Sequence, residues 1–197
     1  MPDSLYLNLW FSSFRKAEML QRLSCVLHQF PFSAARPGIG YVAVHSIDWN
    51  EPLLFEQTFD YRAAPEPAIA LASDFLHEDS AYIFEAMWDL WTHDPKTDQW
   101  IRQPHAVKFI AHGERFENGI AEESGHIQLD LGLDSNFLLE DVALTQEAEE
   151  RVRQNIEQLV KFTGALEKSC NLSSRLLWSE SEENLAQKLV ARLQRVQ

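Results

Sequence analysis

The sequence predicts an α+β fold, a ferredoxin-like βαββαβ layer extended by two further antiparallel strands and followed by two C-terminal helices. Three observations carry this expectation. Apolar and polar residues alternate through three successive runs within 81–134, the period of a sheet with two unlike faces. Upstream, the patterns follow one another in the order strand, helix, strand, strand, helix. Beyond Asp134 the period becomes helical. The whole of 1–197 reads as one α+β domain, with the sheet and two helices in 1–134 and a helical pair in 135–197 packing on it.

Leu5, Leu7, Leu9 and Phe11 alternate with Tyr6, Asn8 and Trp10 and form a first strand. Ser12 or Ser13 then caps a helix whose apolar residues are Met19, Leu20, Leu23, Val26, Leu27 and Phe30, and Pro31 stops it. Gly38-Ile39-Gly40 turns the chain into a strand over 41–47, and Asp48–Pro52 closes a hairpin with 53–59. Pro65 and Pro67 mark a helix start, where a missing N–H costs nothing. Ile69, Leu71, Ala72, Phe75 and Leu76 form its apolar side.

From Ala81 the alternation sorts side chains most sharply. Phe84, Ala86, Trp88 and Leu90 share one face with Val107, Phe109, Ala111, Ile127, Leu129, Leu131 and Leu133. Asp94–Asp98 forms the first turn, and Pro104 suggests a bulge or an edge in the middle run because it cannot donate to a ladder. Thr145 caps a later helix with the stripe Val152, Ile156, Leu159, Val160, Thr163 and Leu166, and Glu147, Glu149 and Glu150 suit its positive end. Ser179-Glu180-Ser181-Glu182 reads as a capping box for a last helix with the stripe Leu185, Leu189, Val190, Leu193 and Val196. This pair is expected on the second sheet face or at a dimer seam, and an uncovered stripe points to a homo-oligomer.

Composition narrows the function classes. Thirty acidic against seventeen basic side chains give a formal charge of −13, which repels nucleic acid. No apolar run has the length of a membrane span, and the first residues lack the basic start and apolar core of a signal peptide. The expected setting is cytoplasmic, with the sequon Asn171-Leu172-Ser173 a chance match. Cys25 and Cys170 read as buried free thiols, with one disulfide the other option.

The second sheet face collects the chemistry-bearing residues: Glu85, Asp89, Trp91, Lys108, His112, His126 and Asp130, with Met87 and Ile110 among them. Together with Trp49 in the hairpin loop, these are the candidate binding residues. Trp49 and Trp91 are the two of six tryptophans expected to be exposed, as aromatic anchors often are. No His-Glu-x-x-His, Cys-x-x-Cys or Gly-x-Ser-x-Gly motif occurs, and Gly38-Ile39-Gly40 precedes a strand and so is no phosphate loop. His77-Glu78-Asp79 and His93-Asp94 fall in loops and read as charged turns. No catalytic residue, metal ligand or cofactor is therefore assigned.

Two functions follow as expectations. The first is a non-catalytic acidic binding protein that masks a basic partner protein, of the inhibitor or immunity type. The second is a small enzyme or a ligand- or metal-binding protein, with Glu85 or Asp89 as base and His112 or His126 as its partner. The first is favoured, because composition supports it and no residue spacing supports the second.

Overall fold

The computed structural model describes residues 4–138 and 145–179. It is a mixed α+β structure whose strands are β1 (Ser4–Phe11), β2 (Ile39–Ser46), β3 (Leu53–Ala63), β4 (Ser80–Asp94), β5 (Gln99–His112), β6 (Ile127–Leu133) and β7 (Leu172–Ser179). Its helices are α1 (Lys16–Gln29), α2 (Pro65–Ser73), α3 (Ala121–Ser124) and α4 (Gln146–Ser169). The strands form one seven-stranded antiparallel sheet in the order β3-β2-β4-β5-β6-β1-β7.

This order departs from the ferredoxin-like layer, which would set β1 between β3 and β4. Here β2 and β5 occupy the two edges of β4, and β1 pairs with β6 and β7. The β4–β5 hairpin accounts for the difference. Its register runs unbroken from Ala81 opposite His112 to Asp94 opposite Gln99, so the strand after α2 turns straight back on itself and excludes β1. Pro104 sits in this ladder without a bulge, on a stretch of β5 that β6 does not reach, since β6 pairs only with Lys108–Ala111.

The alternation holds as expected on the core face. Leu5, Leu7, Leu9, Phe84, Ala86, Trp88, Leu90, Val107, Phe109, Ala111, Ile127, Leu129 and Leu131 are fully buried. The three longer helices pack on this same face, with α1 against both α2 and α4. Phe30 at the end of α1 touches Trp88, Phe109 and Phe162 and so joins the sheet to α4. Leu133 breaks the pattern at 47% exposure. A bulge around Gly132 (φ 82°), whose N–H bonds the Asp130 carboxylate, turns it outward.

Helix caps agree in part. Thr145 Oγ1 accepts from Ala148 N at 3.1 Å, as a cap should. At α1, neither Ser12 nor Ser13 is the cap: the helix starts after Arg15, whose backbone N–H donates to Glu18, and Ser13 Oγ donates to the same carboxylate. On α4, Phe162 is buried and Val160 is 52% exposed, because α4 packs closer to the Phe30 side than the stripe suggests.

Two larger corrections concern the C-terminal region. Residues 172–179 form β7 on the edge of the sheet beside β1, a seventh strand where the connection between two helices was expected. The expected last helix, with its Leu185–Val196 stripe, lies outside the described residues. Cys25 and Cys170 are not free thiols but a disulfide, because α1 and α4 pack side by side and bring two residues 145 apart in sequence to a Cα separation of 5.7 Å.

Candidate functional site

Register now places each expected site residue. On the face away from the long helices, Glu85 on β4 stands opposite Lys108 on β5, which stands opposite Asp130 on β6. The row continues in both directions, to Tyr41 and Thr58 on one side and to Tyr6 and Trp178 on the other. Three of the eight candidates therefore share one line across the sheet. The adjacent row, Ala43, Ile83, Ile110, Gln128, Asn8 and Leu176, carries the apolar groups. Tyr6 stacks on Trp178 with ring centres 4.8 Å apart.

This face carries a concavity of about 360 Å³ around Tyr41, Tyr61, Ile83, Glu85 and Lys108. Its construction begins with a bulge. Four residues of β3 separate the partners of Ile39 and Tyr41, and within that excursion Tyr61 adopts φ 62°, a left-handed backbone that tyrosine rarely takes. The turn throws the Tyr61 ring over Gly40, where a Cβ would sit 2.1 Å from a ring carbon, so only glycine fits beneath it. Tyr61 OH donates to Glu85 Oε1 at 2.5 Å, and Tyr41 OH donates to Glu56 Oε2 at 2.9 Å. Arg36 lies over the Tyr61 ring, 5.0 Å from its centre. Burial, reinforced by Glu85, pushes the Tyr61 hydroxyl up to about 12, so it stays a donor at neutral pH. Burial also raises Tyr41.

The histidines lie elsewhere. His112 opposes Ala81, four register positions from Glu85 and eight from Asp89, which is roughly 13 and 26 Å at the strand rise. Neither carboxylate reaches it, and the expected carboxylate–histidine partnership is not assembled. His112 is 1% exposed and sits among Trp49 and Phe116. Its Nδ1 bonds Gly125 O at 3.0 Å, which makes Nδ1 the protonated nitrogen. His126 has the opposite tautomer, because its Nδ1 accepts from Phe11 N at 3.0 Å, and its ring stacks on Phe14. Both rings edge a cleft of about 340 Å³. Among the described residues, no three His, Cys, Asp or Glu side chains are grouped so as to hold a metal ion.

Trp49 and Trp91 are half-buried, not exposed. Trp49 packs edge-on against His45 and Phe116. Trp91 donates Nε1–H to Gln154 Oε1 at 2.7 Å, and the Arg151 guanidinium lies 4.0 Å from its ring centre. Asp89 accepts from Ala34 N at 3.1 Å and lines a cleft of about 370 Å³ beside α4. Sequence reasoning missed Tyr6, Tyr41, Tyr61 and Trp178. The alternation marked Tyr6 as facing away from the core, but Tyr61 arrives through a bulge and Trp178 through an unforeseen strand. No protein-family model, curated protein or solved structure matches this chain.

The buried imidazoles carry a pH prediction. Desolvation lowers His45, His105, His112 and His126 below the ordinary value of 6.5. The folded protein therefore binds fewer protons than the unfolded chain just below pH 6.5, and stability must fall as pH drops through that window. His28 acts in the opposite sense, raised by its bonds to Ser24 O and Glu66, but it is one group against four. The urea midpoint is expected to be lower at pH 5.5 than at pH 7.5; an equal or higher midpoint at pH 5.5 contradicts the assignment of neutral buried rings.

Proposed function

We propose that this chain is a non-catalytic acidic binding protein that holds a basic partner protein on the sheet face opposite its long helices, masking it as an inhibitor or immunity protein does. The observation that carries this is the row Tyr41, Glu85, Lys108, Asp130, Tyr6 and Trp178, which crosses the sheet on the face opposite the long helices. It has the composition of an interface centre. Tyrosine and tryptophan bury large areas at little entropic cost, and the carboxylates set charge complementarity and orientation. Glu56 and Glu85 already accept hydrogen bonds from Tyr41 and Tyr61, so the anchor residues are held in place before a partner arrives. Arginine or lysine side chains of the partner would meet aromatic faces and carboxylates in the same concavity.

The test compares two variants of equal charge. One carries Glu56→Gln, Glu85→Gln and Asp130→Asn; the other carries Glu147→Gln, Glu149→Gln and Glu157→Gln on α4. Both are titrated by biolayer interferometry against a panel of basic proteins with pI above 9 and an octa-arginine peptide. The sheet variant is expected to weaken the best binder by about tenfold, equivalent to 1.4 kcal/mol, and the α4 variant by less than twofold. Equal losses in both variants, or no binding by the parent chain, would overturn the reading.

A further inference from the structure

Ile47, the first residue of the turn between β2 and β3, has φ 67° and is 56% exposed. A left-handed backbone crowds a β-branched side chain, and a side chain this exposed gains little burial to offset the strain. The conformation is held from both sides: Ile47 N donates to Asp79 O at 2.8 Å, and Glu117 N donates to Ile47 O at 2.7 Å. Asparagine or glycine would suit that backbone better, so the isoleucine contributes apolar surface at the expense of stability. The other end of the turn is apolar as well. The register slips between Val44 and His45, so Leu53 and Leu54 together stand opposite His45, and both are exposed. By alternation His45 shares its face with Ala43 and Tyr41, which sets the two leucines on the face of the Tyr41–Glu85 concavity. Trp49 packs against His45 and Phe116, and Asn50 N donates to Asp48 Oδ1, so the turn is fixed in advance. Charge decides what fits. Residues 37–61 carry four acidic side chains, Asp48, Glu51, Glu56 and Asp60, and no lysine or arginine. A second copy of the chain, or an anionic surface, would meet like charge here. An occupant whose apolar side chains stand among basic ones is complementary in both respects.

We infer that Ile47, Leu53 and Leu54 form the apolar anchor of the interface proposed above, and that the basic partner places leucine-sized side chains between its arginines or lysines to meet them. The partner's charge rests on that proposal; the anchor itself rests on the exposed, strained position of Ile47 and the leucine pair beside it.

The first test needs no partner. Ile47→Asn keeps the left-handed backbone and removes the crowding, so its urea midpoint is expected above that of the parent chain. An equal or lower midpoint would show that the isoleucine side chain supports the fold, and would overturn the inference. The second test titrates the full-length chain, by biolayer interferometry, with two peptides of equal charge: octa-arginine and Arg-Arg-Leu-Arg-Arg-Leu-Arg-Arg-Leu-Arg-Arg. The parent chain is expected to bind the leucine-bearing peptide about fivefold more tightly. A variant carrying Ile47→Asn and Leu54→Ser is expected to lose that preference and to keep its affinity for octa-arginine, since no carboxylate has changed. Equal binding of both peptides by the parent, or a preference that survives in the variant, would overturn the anchor and leave the acidic face as proposed. Binding of neither peptide by the parent would overturn both.

Discussion

Replacing Asn155 by leucine is expected to lower stability by about 3–5 kcal/mol, a loss at the upper end of what single substitutions cause. The reason lies in the sheet edge. β2 pairs with β4 only as far as Ala86, yet β4 continues to Asp94, so among the described residues no strand lies beside its edge from Met87 onward. That stretch is packed against α4, and its peptide groups need other partners. Ser33 N and Gln158 Nε2 donate to Met87 O and Asp89 O, and Asn155, at 2% exposure, serves Trp91: Oδ1 accepts from Trp91 N at 2.9 Å, and Nδ2 donates to Trp91 O and to Asn136 O, each at 2.8 Å. Its amide imitates the strand that is missing. Leucine fills the same volume and leaves one N–H and two carbonyls without their bonds, each costing about 1–3 kcal/mol when buried. Urea unfolding of both chains measures the difference, and hydrogen exchange at the Trp91 amide localises it. A loss under 1 kcal/mol would mean that water replaces Asn155 at this edge and that the amide is dispensable.

Asn155 also shows where the sequence was legible and where it was not. The period-two alternation through β4, β5 and β6 identified the core face correctly because burial of one face leaves a strict pattern. The same alternation put Glu85, Lys108 and Asp130 on one face, and the register then brought them into one row. What alternation cannot give is position along the strands. His112 shares that face but lies four positions from Glu85, so face alone suggested a meeting that register prevents. Bulges hide further information. Nothing in the run around Tyr61 announces a left-handed residue, since φ 62° at a tyrosine is imposed by the packing of its ring on Gly40 and its bond to Glu85. Strand β7 was missed for another reason. Leu172, Leu176 and Leu177 do not alternate, because an edge strand with half of its residues exposed is specified by its pairing with β1 more than by burial. The helical stripe of α4 did not include Asn155, a polar residue that together with Gln158 bonds the open edge of β4.

Reducing the Cys25–Cys170 disulfide is expected to lower stability by about 3–5 kcal/mol, through the unfolded state more than through any native contact. The bond closes a loop of 145 residues, and the chain-entropy model assigns roughly 5 kcal/mol to a loop of that size. Placement makes the bond matter for the sheet as well. Cys170 caps the C-terminus of α4 and stands two residues before the start of β7, so the link ties the edge strand's entry point to α1. Reduction should therefore raise hydrogen exchange in β7 before the rest of the sheet. Thiol titration of the unfolded, unreduced protein should find no reactive thiol, and unfolding free energies from urea titrations with and without dithiothreitol should differ by the stated amount. Two reactive thiols, or coincident midpoints, would sink the prediction and restore the pair of buried thiols that composition suggested. The outcome bears on location too. A structural disulfide persists in oxidising surroundings and is scarce in a reducing cytosol. A chain that loses several kcal/mol on reduction would be less stable in reducing surroundings than in oxidising ones. In either case the staple holds the entry to β7, and β7 carries Trp178 at the end of the Tyr41–Glu85–Lys108–Asp130–Tyr6 row.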